Sequence, residues 1–178
     1  SGGEGVSVSN GDLIMKKTVV KGNSEGGVKL YEGNGTLWIN TVVKNISSSS
    51  FGGISLQPGG ATVSFWNNTV AGNVSGGTTS SVDCIVKNIT LHNSIFAGTG
   101  NLLSDDCYPE YSFIKDGSGG GGKDGCIENE DDPGFENPGE DDYRLATGSM
   151  CIDAGTEDGL PAEMTTDMYG NDRVQGVT

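Results

Sequence analysis

Six carboxylates, Asp131, Asp132, Glu136, Glu140, Asp141 and Asp142, fall within twelve residues of a stretch interrupted by Gly and Pro. Hard oxygen ligands gathered in a loop suit Ca2+, which takes about six to eight of them at about 2.3–2.6 Å. Asp131, Asp132, Asp141 and Asp142 are the candidate ligands, and Ca2+ is the one cofactor the composition suggests. The spacing lacks the alternating order and the twelfth-position Glu of an EF-hand, so a solvated acidic loop is the competing reading. Asp153, before Ala154 and Gly155, suits a turn cap, and Arg144 can pair with one of the carboxylates.

Other catalytic chemistry is poorly supplied. Asp12 and Asp83 are the only Asp residues among the first 100, and they fall in different strand series, so no carboxylate pair recurs on one face. The single histidine, His92, has no evident Ser or Cys partner and no G-x-S-x-G accompanies it. A surface or stacking role fits it better. Gly119 to Gly122 form a flexible loop without the strand, helix and Lys-Ser/Thr pair of a phosphate cradle.

Cys84, Cys107, Cys126 and Cys151 show no C-x-x-C spacing and have one histidine to share, which disfavours zinc. Disulfides would instead compensate for a thin core in the loop-rich second half, and three pairings are open. Five sites satisfy N-x-S/T, at Asn34, Asn45, Asn67, Asn73 and Asn88. Asn34, Asn45, Asn73 and Asn88 are the glycosylation candidates.

These residues must be positioned by a repeat. Lys17-Thr18-Val19-Val20, Asn40-Thr41-Val42-Val43, Asn67-Asn68-Thr69-Val70 and Asn93-Ser94-Ile95-Phe96 recur at steps of 23 to 27 residues. Gly5-Val6-Ser7-Val8, Gly27-Val28-Lys29-Leu30, Gly53-Ile54-Ser55-Leu56 and Ser81-Val82-Asp83-Cys84 form a second series. A third runs Leu13-Ile14-Met15, Leu37-Trp38-Ile39, Val63-Ser64-Phe65 and Ile89-Thr90-Leu91. Each run is short, β-branched, alternating, and bounded by Gly, Asn or Ser, which reads as strand and not helix. A unit of three such strands cannot bury its inward face alone, so successive units must stack. The expectation is an all-β, parallel β-helix of about four coils. Val6, Val28, Ile54 and Val82 should share one column, and Val19, Val42, Thr69 and Ile95 another. Asn40, Asn67 and Asn93 should form a side-chain amide ladder at a corner, with Lys17 breaking its lowest rung.

Charge divides the chain: residues 1–100 carry six Lys or Arg against five Asp or Glu, and residues 101–178 carry four against nineteen. Nucleic acid and anionic membrane, which need a basic face, are poor partners, and no run of eighteen apolar residues spans a bilayer. The expected organisation is coils over 1–116, a Gly-rich loop over 117–130, and an acidic block over 131–178 packed on the coils.

The block carries four motifs in order: Asp132-Pro133-Gly134-Phe135, Asp142-Tyr143-Arg144-Leu145, Ser149-Met150-Cys151-Ile152-Asp153-Ala154-Gly155, and Thr166-Asp167-Met168-Tyr169-Gly170-Asn171-Asp172-Arg173. This series resembles the C-terminal block of choice-of-anchor Q domain proteins, bacterial surface and secreted β-helix proteins of the pectate-lyase-like superfamily. Met150 stands where those chains usually have Pro. The resemblance implies a right-handed parallel β-helix at the cell surface or outside the cell.

The functional expectation is a noncatalytic structural or adhesive module. Only Ser1 to Gly5 precede the first strand, so its open edge should be covered by upstream coils or by a second copy stacking end to end into a fibre. The alternative is a carbohydrate-active enzyme, a polysaccharide lyase or glycoside hydrolase, or a carbohydrate-binding module with a polysaccharide partner. The superfamily likeness implies that alternative, but fold does not dictate function.

Overall fold

A computed structural model describes residues 3–172 except 49–50, 78, 87–88 and 118. The first coil is β1 (Val6–Ser9), β2 (Leu13–Lys16) and β3 (Val19–Lys21). The second is β4 (Val28–Tyr31), β5 (Gly35–Trp38) and β6 (Thr41–Val43), followed by the short β7 (Ile46–Ser47). The third is β8 (Ile54–Gln57), β9 (Val63–Trp66), β10 (Thr69–Ala71) and β11 (Val74–Ser75), and the fourth is β12 (Val82–Cys84), β13 (Ile89–His92) and β14 (Ile95–Ala97). β15 (Cys107–Glu110), β16 (Phe113–Lys115) and β17 (Ile127–Asn129) extend the stack. The C-terminal block adds β18 (Phe135–Asn137), a single 3-10 turn at Pro138–Glu140, and β19 (Asp142–Leu145).

Each strand pairs in parallel with its copy one coil on. The three longest sheets run β1-β4-β8-β12, β2-β5-β9-β13-β15 and β3-β6-β10-β14-β16-β17. The fold is therefore a parallel β-helix, an all-β solenoid. Alternation sends every second side chain inward, and the inward columns form one continuous core: Val28, Ile54 and Val82, then Leu30 and Leu56, then Leu37, Phe65 and Leu91, then Val42, Val70, Phe96 and Ile114. The Phe65 and Phe96 rings stack at 6.4 Å between centroids.

Val6, Val28, Ile54 and Val82 share a column as expected. The column of Val19 is different: it holds Thr41, Thr69 and Ile95, while Val42 stacks inward between Val20 and Val70. Matching the two Thr-Val-Val-Lys runs by identity puts the second coil one residue out of register. Burial overrides identity here, because a one-residue slip would turn the inward valine out to solvent.

Residues 117–130 also depart from expectation. They are not simply a loop, since Leu103 bridges Val82 and Gly119 in parallel, the Gly121 amide donates to the Cys107 carbonyl at 2.8 Å, and β17 pairs with β16. The Gly-rich stretch thus carries a further rung. Glycine is required by sterics at Gly53, where a Cβ would lie 2.4 Å from the Ser81 carbonyl oxygen and 3.0 Å from Asn73 Nδ2.

Three corners hold the coils. At one of them Lys17, Ile39, Asn67, Asn93 and Tyr111 all have positive φ, between 48° and 57°, and the residue after each is the ladder member. Asn40 donates its Nδ2 to Asn68 Oδ1 at 3.0 Å, Asn68 Nδ2 donates to the Leu37 carbonyl at 2.8 Å, and the Asn68 amide donates to Ser94 Oγ at 3.1 Å. The ladder is therefore Asn40, Asn68, Ser94 and Ser112, with Thr18 below, and not Asn40, Asn67 and Asn93. Asn67 and Asn93 occupy the left-handed positions, which Asn tolerates through its short polar side chain. A second ladder, Asn23, Asn45 and Asn73, was not foreseen; Asn45 Nδ2 donates to Asn73 Oδ1 at 3.0 Å and receives Asn23 Nδ2 at 2.8 Å on its own Oδ1.

Candidate functional site

The acidic cluster does not converge. Asp141, itself in the left-handed region at the end of the 3-10 turn, receives Lys21 Nζ at 2.8 Å and Lys44 Nζ at 2.6 Å. These two lysines hold its carboxyl down at about 2. Asp142 receives the Arg144 fork, Nε at 2.9 Å and Nη2 at 2.5 Å, and is likewise held at about 2. Asp132 accepts from Lys115 Nζ at 2.8 Å, while the Asp131 amide donates to Asn129 Oδ1. Among the described residues no group of three or more His, Cys, Asp or Glu comes together as a metal ion would require. Asp132, Asp141 and Asp142 grip cations instead, and three of those four cations, Lys21, Lys44 and Lys115, belong to the coils.

Lys16 reaches Glu163 at 3.3 Å and Lys17 reaches Thr166 Oγ1 at 2.5 Å. Together with Lys21, Lys44 and Lys115 they join the coils to the block along its length. The block also has two apolar footholds. Phe135 and Tyr143, edge to face at 5.1 Å, pack on Val43, Ala71 and Ala97 of the third sheet. Leu160, Met164 and Met168 pack on Trp38, Ile39 and Trp66 at the corner between the second and third sheets. Between the footholds Asn93 pins the chain, donating Nδ2 to the Thr156 carbonyl at 2.7 Å and accepting the Thr156 amide at 2.9 Å.

A cavity of about 1000 Å3 lies between the block and the third sheet. Its floor is the outward column Val19, Thr41, Thr69, Ile95, Phe113 and Ile127, six strands whose spacing of about 4.8 Å gives a run of about 24 Å. Asn67 stands in one wall, its Oδ1 shielded from solvent and without a partner among the described residues. Tyr143, Met168 and Tyr169 line the other side. Tyr169 is 64% exposed, with the Arg144 guanidinium 6.0 Å from its ring centroid. Asp167 is spent on its own turn, accepting the Tyr169 and Asn171 amides and Asn171 Nδ2; these bonds hold its carboxyl below the usual range against the opposing effect of burial. This slot escaped the sequence reading. Its signal is the outward column with Val19, Ile95, Phe113 and Ile127, apolar where alternation calls for polar residues and hence in need of a cover.

His92 takes the stacking role expected of it. Its ring lies 3.9 Å from that of Trp66 at 12°, and Nδ1 is 3.3 Å from Glu110 Oε2. Burial pushes its pKa down, with Glu110 opposing. Lys16, 3.8 Å from the Trp38 ring centroid, continues the same outer column. Asp12 serves a third corner ladder, accepting from Asn34 Nδ2 at 3.0 Å. Arg173 lies outside the described residues.

Of the sequons, Asn45 and Asn73 are 0% and 2% exposed and bonded in a ladder, so neither offers its amide nitrogen to a modifying enzyme, contrary to expectation. Asn34 is exposed, though it bonds Asp12 and Thr62. Asn88 lies outside the described residues. Cys84 and Cys107 form a disulfide with Cα atoms 5.3 Å apart, inside the core rather than in the acidic block. Cys126 and Cys151 are free thiols whose pKa values burial raises, that of Cys151 to about 11. Among the described residues no helix is long and apolar enough to cross a membrane. No family model, curated protein or solved structure matched the chain.

Proposed function

We propose that the protein is a noncatalytic structural and adhesive β-helix module of the cell exterior. The observation that carries this reading is that Asp132, Asp141 and Asp142 of the acidic block are each spent on a lysine or arginine, three of these four cations belonging to the coils. Glycoside hydrolysis needs a carboxylic acid whose pKa is raised so that it can deliver a proton, set opposite a second carboxylate. Asp141 and Asp142 are instead held at about 2 by lysine and arginine, and Asp167 is held low by hydrogen bonds to its own turn. These groups fasten the block to the coils and keep it folded. The buried Cys84–Cys107 disulfide supports an oxidising compartment, in keeping with the surface location that the C-terminal motifs imply.

The coil ends supply the structural half of the reading. β1, β2 and β3 are the terminal strands of their sheets, and their outer edges are where further coils or a second copy would stack. Incubation with acidic and neutral polysaccharides, followed for unsaturated products and reducing ends, tests the noncatalytic reading; sustained product release with multiple turnovers overturns it. Light scattering at rising concentration tests the stacking: growth of the particle is expected, and a strictly monomeric species overturns end-to-end association.

A further inference from the structure

We infer that the slot between the C-terminal block and the third sheet binds an uncharged glycan chain lying along the solenoid axis, an inference that rests on the adhesive half of the function proposed above. The shape comes first. The floor runs across six strands, so a ligand filling it is long and narrow and lies at right angles to them.

Charge then selects among polymers. Among the described residues Lys21 and Arg144 are the basic members of the lining, and both are already engaged, by Asp141 and Asp142. Asp141, Asp153, Glu157 and Asp167 line the same space. Among the described residues an anionic polymer would meet these carboxylates with both lining cations already paired.

Backbone geometry sets aside an extended peptide. The floor is the face of a sheet whose N–H and C=O groups are spent on the parallel ladders, so a peptide lying there would leave its own amides unpaired, whereas strand addition requires an open edge. A lipid chain fits no better, because Thr41, Thr69, Asn67 and Asn171 interrupt the apolar lining. A neutral sugar polymer matches both features. Its C–H faces can rest on Tyr169 and Ile95, and its peripheral hydroxyls can both donate to and accept from threonine hydroxyls, asparagine amides and the rim carboxylates.

The test is titration of the isotopically labelled full chain with cellohexaose, xylohexaose and mannohexaose, with oligogalacturonate as the anionic comparator and an uncharged Gly/Ser/Thr decapeptide as the peptide comparator. At least one neutral hexasaccharide should give saturable shifts at the amides of Thr41, Thr69 and Tyr169. Tyr169→Ala should weaken that binding about tenfold with an unchanged melting temperature, since the ring is exposed. Thr69→Val, nearly isosteric, should weaken it several-fold by removing one hydroxyl. Absence of saturable shifts at these residues with all three neutral sugars overturns the inference, as does tighter binding there of oligogalacturonate or of the peptide. Either result leaves the noncatalytic reading standing, whereas cleavage of a bound hexasaccharide would overturn that reading and leave the ligand assignment in place.

Discussion

Asn45 and Asp141 both bind partners from other coils, yet in opposite settings. Asn45 is fully buried, donating Nδ2 to Asn73 Oδ1 and to the Val20 carbonyl while its amide donates to Asn73 Oδ1. Asp141 sits at the surface between Lys21 and Lys44, whose side chains are 52% and 39% exposed. The coils are joined by neutral hydrogen bonds shielded from water and by a continuous apolar core. The block is joined by solvated ion pairs and two small apolar footholds. Exposed ion pairs contribute little and are screened by salt, whereas a buried amide deprived of its partner costs far more. The comparison teaches that the block is fastened much less firmly than the coils, which suits a wall that must admit a ligand.

The strongest way to break this contrast is inside the stack. Ile54 is fully buried between Val28 and Val82, so Ile54→Asp places an unpaired charge in the core and should cost several kcal/mol, enough to remove cooperative unfolding by circular dichroism. Ile54→Val should cost about 1 kcal/mol. A variant Ile54→Asp that melts like the parent would overturn the observed register.

The ladder gives the next largest effect and a direct internal control. Asn68→Ala strands the Asn40 amide and the Leu37 carbonyl and removes one of the two bonds of Asn40 Nδ2, and should cost about 2–3 kcal/mol in urea unfolding. The adjacent Asn67→Gly should be close to neutral. Asn67 has φ 55°, which glycine adopts freely, and its Oδ1 has no partner to lose among the described residues. Equal costs at the two positions would return the ladder to the register expected from sequence.

Weaker again is Phe135→Ala, which removes one foothold from Val43, Ala71 and Ala97. It should expose residues 131–145 to limited proteolysis while the β signal of the coils persists; simultaneous loss of both would mean that block and coils fold as one unit.

The smallest effect is electrostatic. Asp141 and Asp142 have folded-state pKa values depressed to about 2, below an ordinary carboxyl value of about 4. Their contribution is therefore present above pH about 4 and fades as pH falls toward 2. Tyrosine fluorescence reporting on Tyr143 should shift across that window, and raised salt at neutral pH should shift it in the same direction. Insensitivity to both would assign the docking to the footholds alone.

The repeat of short alternating strands was legible in the sequence because inward positions must be apolar and corners must reach left-handed conformations, and both demands act residue by residue. The first series, from Val6 to Val82, could be aligned outright for that reason. The second coil could not: Thr-Val-Val-Lys looks alike in either register, and only stacking of Val42 between Val20 and Val70 distinguishes them. The Asn ladder was misplaced by one residue on the same ground, since Asn67 and Asn68 are identical in type and differ only in backbone conformation and in which of them points inward.

By itself the sequence determined the β-helix and the acidic second half, because periodicity, charge and residue type are local properties. Tertiary structure alone decided that Cys84 pairs with Cys107, that Asn45 and Asn73 are sealed inside, that each of Asp132, Asp141 and Asp142 takes a cation, and that a slot separates block from coils. Each of these depends on distances between residues far apart in the chain, fixed only when the coils stack and the block folds back across them.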